Sequence, residues 1–188
     1  MTATATVLMD RATPGKTPAK VHGPRRWRLR SQLLGDLIVA EDAILEFPDG
    51  LFGFASCTQW VLVSADRPGW CWLHALDHPA LAFLLVDPFE AYPEFSVTLT
   101  AHDIAALGVS SATMVGVYAI VTLPRTAAEA MTVNLQGPVA IAASSRRGRQ
   151  LVLGDARLGD VRFGARAPFP ARSARDAQVL GGPTDTEA

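Results

Sequence analysis

Residues 131–153, MTVNLQGPVAIAASSRRGRQLVL, constrain the fold of this chain more than any other segment. The letters TVNL favour a strand that ends at Asn134, and the Gly-Pro pair that follows predicts a break in that strand. The run VAIA predicts a second strand, residues 144–148 predict a turn, and Gln150 opens a third strand. Three short strands with a basic turn between the last two indicate an antiparallel β-meander.

The middle of the chain continues this pattern, because apolar and polar residues alternate with the period of two that is typical of half-buried strands. Further strands are predicted at residues 37–47, 60–63, 70–76, 81–86, 95–99 and 114–123. Thr100 and Asp103 have the spacing of a capping box, which predicts one short helix after Thr100. Eight or more strands beside one short helix predict a mostly β fold, a small antiparallel barrel or a sandwich-like barrel.

Charge divides the chain into three parts. Residues 1–35 hold seven Lys or Arg and one acid without apolar periodicity, which predicts a disordered basic N-terminal arm. Residues 36–167 hold 14 acids and eight Arg, and they form the predicted β-barrel domain. Residues 168–188 are rich in Pro and Gly and are predicted to be a disordered C-terminal tail. An acidic folded domain repels nucleic acid and favours basic protein partners.

Composition and spacing argue against several classes of function. The apolar fraction of 49% supports a sizeable core, yet no apolar run reaches the roughly 18 residues that a membrane-spanning helix needs. Cys57 and Cys71 lack CxxC spacing, and the four His lack the spacing of metal ligands. No nucleotide-binding motif or nucleophile elbow is present. We therefore predict a non-enzymatic binding protein with no catalytic residues, no metal and no cofactor.

One predicted loop combines aromatic and acidic side chains in a pattern that is common at protein–protein contacts. Its candidate partner-binding residues are Asp87, Phe89, Glu90, Tyr92 and Glu94. The alternative is that Phe89 and Phe95 only plug one end of the barrel. Asn134 and Gln150 are further candidates, because each is a polar residue at the end of a predicted strand. The Asn134 side chain is expected to clamp the turn that follows it or to contact a partner.

Three separate elements resemble those of a known family in order and spacing. FPDGLFGF at residues 47–54 is similar to the pattern F-x-x-G-L-x-G-F, and LAFLLVDPF at residues 81–89 is similar to L-A-F-x-x-x-x-P-F. TVNLQGP at residues 132–138, followed by the Gln150 strand, is similar to TVNL-x-x-P with a later Q-x-x-L. On these elements the chain resembles the FliW family of flagellar assembly factors from about residue 36 to residue 163.

The resemblance implies two protein partners, flagellin and the RNA-binding translational repressor CsrA. Abundant flagellin would occupy the protein and leave CsrA free to silence flagellin synthesis. Export of flagellin would release the protein to sequester CsrA, by an allosteric effect rather than by mimicry of RNA. The resemblance thus implies a cytoplasmic protein that has no direct contact with nucleic acid or with a membrane. One departure is the tripeptide Leu73-His74-Ala75, where the family usually has a Leu-Gln-Ser-like turn.

Two other functions remain compatible with the residues. A small barrel with an apolar mouth can hold a small molecule, so a flavin-binding split barrel is the alternative hypothesis. The third hypothesis is nucleic-acid binding through the arm, whose Arg25, Arg26, Arg28 and Arg30 surround Trp27.

Overall fold

The computed structural model describes residues 25–126 and 129–153, together with the backbone of three two-residue strands nearer the C-terminus. The strands are β1 (Arg26–Ser31), β2 (Gly35–Ala40), β3 (Ile44–Glu46), β4 (Gln59–Ser64), β5 (Trp70–Ala75), β6 (Ala82–Val86), β7 (Gly116–Thr122), β8 (Thr132–Ala142), β9 (Arg147–Gln150), β10 (Arg157–Leu158), β11 (Val161–Arg162) and β12 (Ala167–Pro168). The helices are α1 (Pro88–Ala91) and α2 (Ala101–Ala106), with 3-10 turns at Glu41–Ala43 and Ala112–Met114.

Strands β3 to β9 close into a seven-stranded barrel, which confirms the predicted mostly β fold. Each strand pairs antiparallel with the next one along the chain, and β9 closes the barrel by pairing in parallel with β3. Large apolar side chains fill the interior, among them the fully buried Phe47, Trp60 and Leu73. The Phe47 and Trp60 rings lie 6.0 Å apart between centroids at a tilt of 58°, which is a favourable aromatic geometry.

Strand β8 is continuous over 11 residues, so the predicted break at Gly137-Pro138 is wrong. The register between β7 and β8 shifts between Tyr118 and Ile120, so β8 carries extra residues at this point. The Gly-Pro pair lies in this bulge, where a residue without an N–H need not sacrifice a ladder hydrogen bond. The Pro138 carbonyl still accepts a 2.8 Å hydrogen bond from the N–H of Leu151. The Gly137-Pro138 pair, which predicted a break in the strand, therefore marks a bulge instead.

The described part of the chain contains two short α-helices where one was predicted. The additional helix, α1, begins after Asp87, whose Oδ1 accepts hydrogen bonds from the N–H groups of Phe89 and Glu90 at 2.7 and 3.3 Å. Pro88 at the first helical position loses no hydrogen bond, because that N–H has no partner within a helix. The strand predicted at residues 95–99 is wrong, since only Phe95 forms a bridge there and the following residues are irregular.

The N-terminal boundary of the folded part is a second correction. Strands β1 and β2 form a hairpin whose register runs from Arg26 opposite Ala40 to Ser31 opposite Gly35. Leu29 is 3% exposed, so residues 26–35 are folded rather than part of a disordered arm. Residues 1–24 and 169–188 of the predicted arm and tail lie outside the described residues. At the C-terminal boundary, Ala167–Pro168 pairs with β8.

The hairpin packs on the outside of the barrel through one face. Its buried side chains share a cluster with two residues of β4, and the cluster consists of Leu29, Leu37, Val39, Val61 and Val63. The opposite face of β1 carries the exposed Arg26, Arg28 and Arg30, and Arg28 forms a 2.6 Å ion pair with Asp36. Alternation along a six-residue strand therefore places the arginines in solvent and Leu29 in the core.

Helix α2 begins with the predicted capping box. The N–H of Asp103 donates to Thr100 Oγ1 at 3.1 Å, and the N–H of Thr100 donates to Asp103 Oδ2 at 2.9 Å. Arg149 of β9 places its Nη1 3.3 Å from Asp103 Oδ1. Burial alone would raise the pKa of Asp103, but the hydrogen bonds from Thr100 and the charge of Arg149 outweigh burial and lower this pKa.

Replacement of Asp103 with Asn is expected to lower the free energy of unfolding by about 1 kcal/mol at neutral pH, because a charged partner of Arg149 is lost. The difference should shrink on acidification. A carboxyl group whose pKa is lowered by folding stabilises the fold above its unfolded pKa, and this contribution disappears as the pH falls through the folded pKa. Thermal melts of both proteins from neutral pH to about pH 3 measure the difference, and a constant difference contradicts the prediction.

Candidate partner-binding surfaces

The acidic and aromatic candidates lie together around α1, on residues 87–95, which we call the α1 corner. Phe89 is 40% exposed, and its ring centroid lies 5.4 Å from that of Phe95, which is 4% exposed. Glu90 and Glu94, which lie between these two aromatic residues in the sequence, are both exposed. Phe95 therefore plugs the core, as the structural alternative predicts, while Phe89 keeps part of its ring free for a contact.

Tyr92 differs from the other candidates of the α1 corner. It is 6% exposed and belongs to a buried cluster with Val86 and Phe95. Burial raises the pKa of Tyr92 to about 12. The structure thus places Tyr92 beneath the surface, where its ring supports the corner and is not presented to a partner.

A cavity of about 380 Å³ opens beside the α1 corner, at the end of the barrel where β7 begins. Its apolar lining includes Leu45, Leu62 and Ile141, which belong to or pack against the main core. Three carboxylates stand among the lining residues, and they belong to Asp42, Asp87 and Glu90. We call this site the acid-rimmed cavity. Because no Lys or Arg lines it, the charge of the cavity disfavours the phosphate of a flavin nucleotide.

The thiol of Cys71 and the phenol of Tyr118 also line the acid-rimmed cavity, and both are neutral. Burial raises the pKa of Cys71 to about 11, so its thiol keeps its proton at neutral pH. Burial also raises the pKa of Tyr118, and the nearby groups of Cys71 and Asp87 add to that shift. The negative charge of the cavity therefore comes from its carboxylates.

The other two candidates, Asn134 and Gln150, meet at the bulge of β8. Asn134 Oδ1 accepts a 2.9 Å hydrogen bond from the N–H of Gly137, as the predicted turn clamp requires. Gln150 Nε2 donates to the Gly137 carbonyl at 2.8 Å, and Gln150 Oε1 accepts from the N–H of Phe52 at 2.9 Å. A Cβ at Gly137 would lie 3.0 Å from Gln150 Nε2 and 3.1 Å from Asn134 Nδ2, so this close arrangement favours Gly.

An apolar groove of about 520 Å³ lies beside this clamp. Its exposed apolar residues are Phe52, which is 60% exposed, and Leu123, which is 37% exposed. Phe83 and Ile120 line its interior, and Asn134 and Gln150 contribute polar groups. The groove thus joins the three sequence elements that resemble FliW. Phe52 and Leu123 were not among the candidates, although an exposed Phe in the turn after Phe47 was a signal for such a surface.

The seven candidates therefore divide between two regions of the protein, with Tyr92 beneath the surface of the first. The acid-rimmed cavity includes Gly116 and Tyr118 at the start of β7, whereas the apolar groove includes residues 120–123 at its end. The α1 corner belongs with the first surface, and the clamp of Asn134 and Gln150 belongs with the second.

Replacement of Asn134 with Ala is expected to lower the free energy of unfolding by about 1 kcal/mol, because the N–H of Gly137 loses its acceptor. Asn134→Asp keeps an oxygen at this position and should retain much of the stability. Urea denaturation of both variants measures the two losses. If Ala and Asp unfold alike and like the parent, the clamp does not contribute to the stability of the bulge.

No helix within the described part of the chain is long and apolar enough to cross a membrane. Among residues 25–126 and 129–153, no group of three or more His, Cys, Asp or Glu could hold a metal ion.

Comparisons with known proteins agree on one family. The family model described as FliW protein matches residues 28–162. A flagellar assembly factor FliW of Symbiobacterium thermophilum is 37% identical over 120 residues, which cover 63% of this chain and 86% of that protein. The FliW of Geobacter sulfurreducens is 33% identical over 141 residues, which cover 75% of this chain and 85% of that protein.

A solved structure gives the same result for the fold. The crystal structure of a flagellar assembly factor FliW superposes with a TM-score of 0.68 at 26% identity, and the match covers 78% of this chain and all of that chain. The matched family model includes β1 from Arg28 onward, which agrees with the folded hairpin. The chain belongs to the FliW family of flagellar assembly factors.

Proposed function

We propose that this chain binds flagellin and antagonises the translational repressor CsrA, and so couples flagellin synthesis to flagellin export. The proposal places the protein in the cytoplasm and gives it no catalytic step. Membership of the FliW family supports the role. The observation that carries it is the α1 corner, where the partly exposed Phe89 lies on the same short segment as the exposed Glu90 and Glu94.

The α1 corner suits a repressor that binds RNA. A protein that binds RNA carries positive charge, because it must neutralise phosphates. Carboxylates beside an aromatic residue would steer such a protein into contact without occupying its RNA-binding surface, and burial of the exposed ring would then stabilise the complex. Asp87 contributes a third carboxylate, which also holds α1 in place as its N-cap. We therefore assign the repressor to this corner.

The test of this assignment is the association rate of the repressor with the full chain. The double variant with Glu90→Lys and Glu94→Lys is expected to associate at least tenfold more slowly than the parent, and added salt should slow the parent but not this variant. Phe89→Ala should mainly speed dissociation, because it removes buried contact area. Surface plasmon resonance at low and high salt measures both rates.

The control is Asp77→Lys, which changes an exposed acid in the turn between β5 and β6, outside the α1 corner. Its association rate should stay within about twofold of the parent. Thermal melts check that each variant is folded. An association rate that responds neither to salt nor to the double reversal would remove the α1 corner as the repressor surface, and a flagellin pulldown tests the other partner separately.

A further inference from the structure

We propose that the acid-rimmed cavity takes the alkylammonium side chain of a lysine that a basic protein partner presents. The inference rests on the proposed function in one respect, namely that the occupant belongs to a protein partner. It adds a defined pocket and a defined ligand chemistry to the α1 corner.

The interior of the cavity matches the carbon stem of a lysine. The apolar side chains of Leu45, Leu62 and Ile141 line it, and the ring of Trp70 adds an aromatic wall. Its volume of about 380 Å³ is large enough to admit an extended side chain, and it lies near the lower end of the range of about 300–1,000 Å³ for ligand pockets. Burial of four methylene groups from water contributes favourably, at about 0.8 kcal/mol for each group.

The charge of the cavity requires a cation at its mouth. Asp42 lies in the 3-10 turn before β3, whereas Asp87 and Glu90 lie at α1, so the carboxylates come from two separate elements. Asp87 caps α1 through Oδ1. None of the described lining residues is Lys or Arg, although the guanidinium of Arg67 lies 4.7 Å from the ring centroid of Trp70. Three carboxylates outnumber this one nearby cation, so a cationic partner would balance the remaining negative charge.

The arrangement favours lysine over arginine. A guanidinium group presents its donors in a planar fork that fits the two oxygens of one carboxylate. An ammonium group is a compact charge with three donors that radiate from one atom. Carboxylates that come from separate elements around a mouth suit the second geometry better. The neutral thiol of Cys71 and the ring of Tyr118 accept the apolar stem below it.

The first experiment uses n-hexylamine, which is a free alkylammonium ion at neutral pH, and the full chain. Saturable binding is expected, with a change in tryptophan fluorescence and at least fivefold slower alkylation of Cys71 by iodoacetamide, because Cys71 lines the cavity. Peptide mass spectrometry reads Cys71 separately from the buried Cys57. Hexanol, with the same stem but no charge, and hexanoate, with the opposite charge, should bind at least tenfold more weakly.

Matched variants locate the probe. The double variant with Asp87→Asn and Glu90→Gln is expected to bind hexylamine at least tenfold more weakly, and Asn at position 87 retains an oxygen that can cap α1. Asp77→Asn, outside the cavity, should bind hexylamine like the parent. If hexylamine fails to bind, or binds both variants equally, the proposal is wrong even where a partner protein still binds.

The second experiment identifies the source of the lysine. Saturating hexylamine should reduce binding of the repressor at least fivefold, and acetylation of the lysines of the repressor should do the same. Dimethylation keeps the positive charge and should cost less affinity. If hexylamine binds but neither treatment affects the complex, the occupant is not a lysine of this partner and that assignment fails.

Two other occupants would also overturn the assignment. Lys16 and Lys20 are the lysines of this chain. Suppose that the protein is a monomer and that the double variant with Lys16→Gln and Lys20→Gln binds hexylamine at least tenfold more tightly than the parent does. The occupant is then a lysine of the same chain. If hexylamine instead splits a dimer, as light scattering would show, the occupant comes from a second copy.

Discussion

Deletion of residues 1–35 is expected to abolish the cooperative thermal transition, whereas deletion of residues 1–24 should shift the melting temperature by no more than a few degrees. The longer deletion removes β1, the strand that pairs with β2 and buries Leu29. The shorter deletion removes only residues that precede the hairpin. The difference between the two deletions therefore measures the contribution of one six-residue strand.

The expected effect is large because β1 covers apolar side chains of both the hairpin and the barrel. Loss of β1 leaves Leu37 and Val39 on an unpaired strand and uncovers Val61 and Val63 of β4. Burial of one such side chain contributes about 1.5–3 kcal/mol. Small domains have a free energy of unfolding of only about 5–15 kcal/mol in total, so loss of the whole cluster can consume most of it.

Point variants within β1 separate its two faces. Leu29→Ala is expected to lower the free energy of unfolding by about 2–4 kcal/mol, because it leaves a cavity in the cluster. Arg30→Ala, on the exposed face of β1, should change it by less than about 0.5 kcal/mol. Circular dichroism melts and urea titrations measure both changes. A protein that lacks residues 1–35 and still melts cooperatively near the parent temperature would show that the hairpin is dispensable.

The sequence predicts the barrel well where the signal is local. Short apolar runs bounded by turn residues identify the strands β4, β5, β6 and β7, and the spacing of Thr100 and Asp103 identifies α2. The prediction fails where distant residues decide the structure. Arginines dominate RWRLRS, so its two inward residues are recognisable as a buried face only once β2 and β4 lie beneath them. Similarly, Gly137-Pro138 is a bulge because β7 fixes the register of β8 on both sides of it.

The candidate surfaces also contain some features that the local sequence predicts and others that depend on distant residues. The sequence predicts Asn134 as a turn clamp, because an Asn side chain can bond to the backbone of the turn that follows it. The structure shows this bond, in which Asn134 Oδ1 accepts from the N–H of Gly137, three residues later. The link from Gln150 to the N–H of Phe52 spans 98 positions in the sequence, so no local pattern could predict it. The burial of Tyr92 and the cavity beside α1 likewise depend on strands that the chain adds later.

Replacement of His74 with Ala is the second change that should strongly destabilise the protein. His74 is fully buried on β5. Its Nδ1 lies 2.7 Å from the Ala75 carbonyl and therefore donates to it, while its Nε2 lies 2.9 Å from Ser31 Oγ. Ser31 Oγ accepts from the N–H of Leu34 at 2.9 Å, so its own proton is available for Nε2.

This ring connects the hairpin to the barrel through polar contacts, beside the apolar cluster around Leu29. His74→Ala removes a buried ring and leaves the Ala75 carbonyl and the Ser31 hydroxyl without this partner. The two effects together are expected to lower the free energy of unfolding by about 3 kcal/mol. His74→Gln supplies one donor and one acceptor in a similar volume, so it should cost only about 1 kcal/mol.

The control for His74 is His78→Ala, which changes an exposed His in the turn after β5. It should alter the free energy of unfolding by less than about 0.5 kcal/mol. Urea denaturation measures all three variants, and hydrogen exchange of the β1 amides reports whether the hairpin detaches first. If His74→Ala unfolds like His78→Ala, the polar link is unimportant and apolar burial alone holds the hairpin. If His74→Gln retains most of the stability that His74→Ala loses, the requirement at this position is a donor and an acceptor that satisfy a buried carbonyl and a buried hydroxyl at the junction of hairpin and barrel.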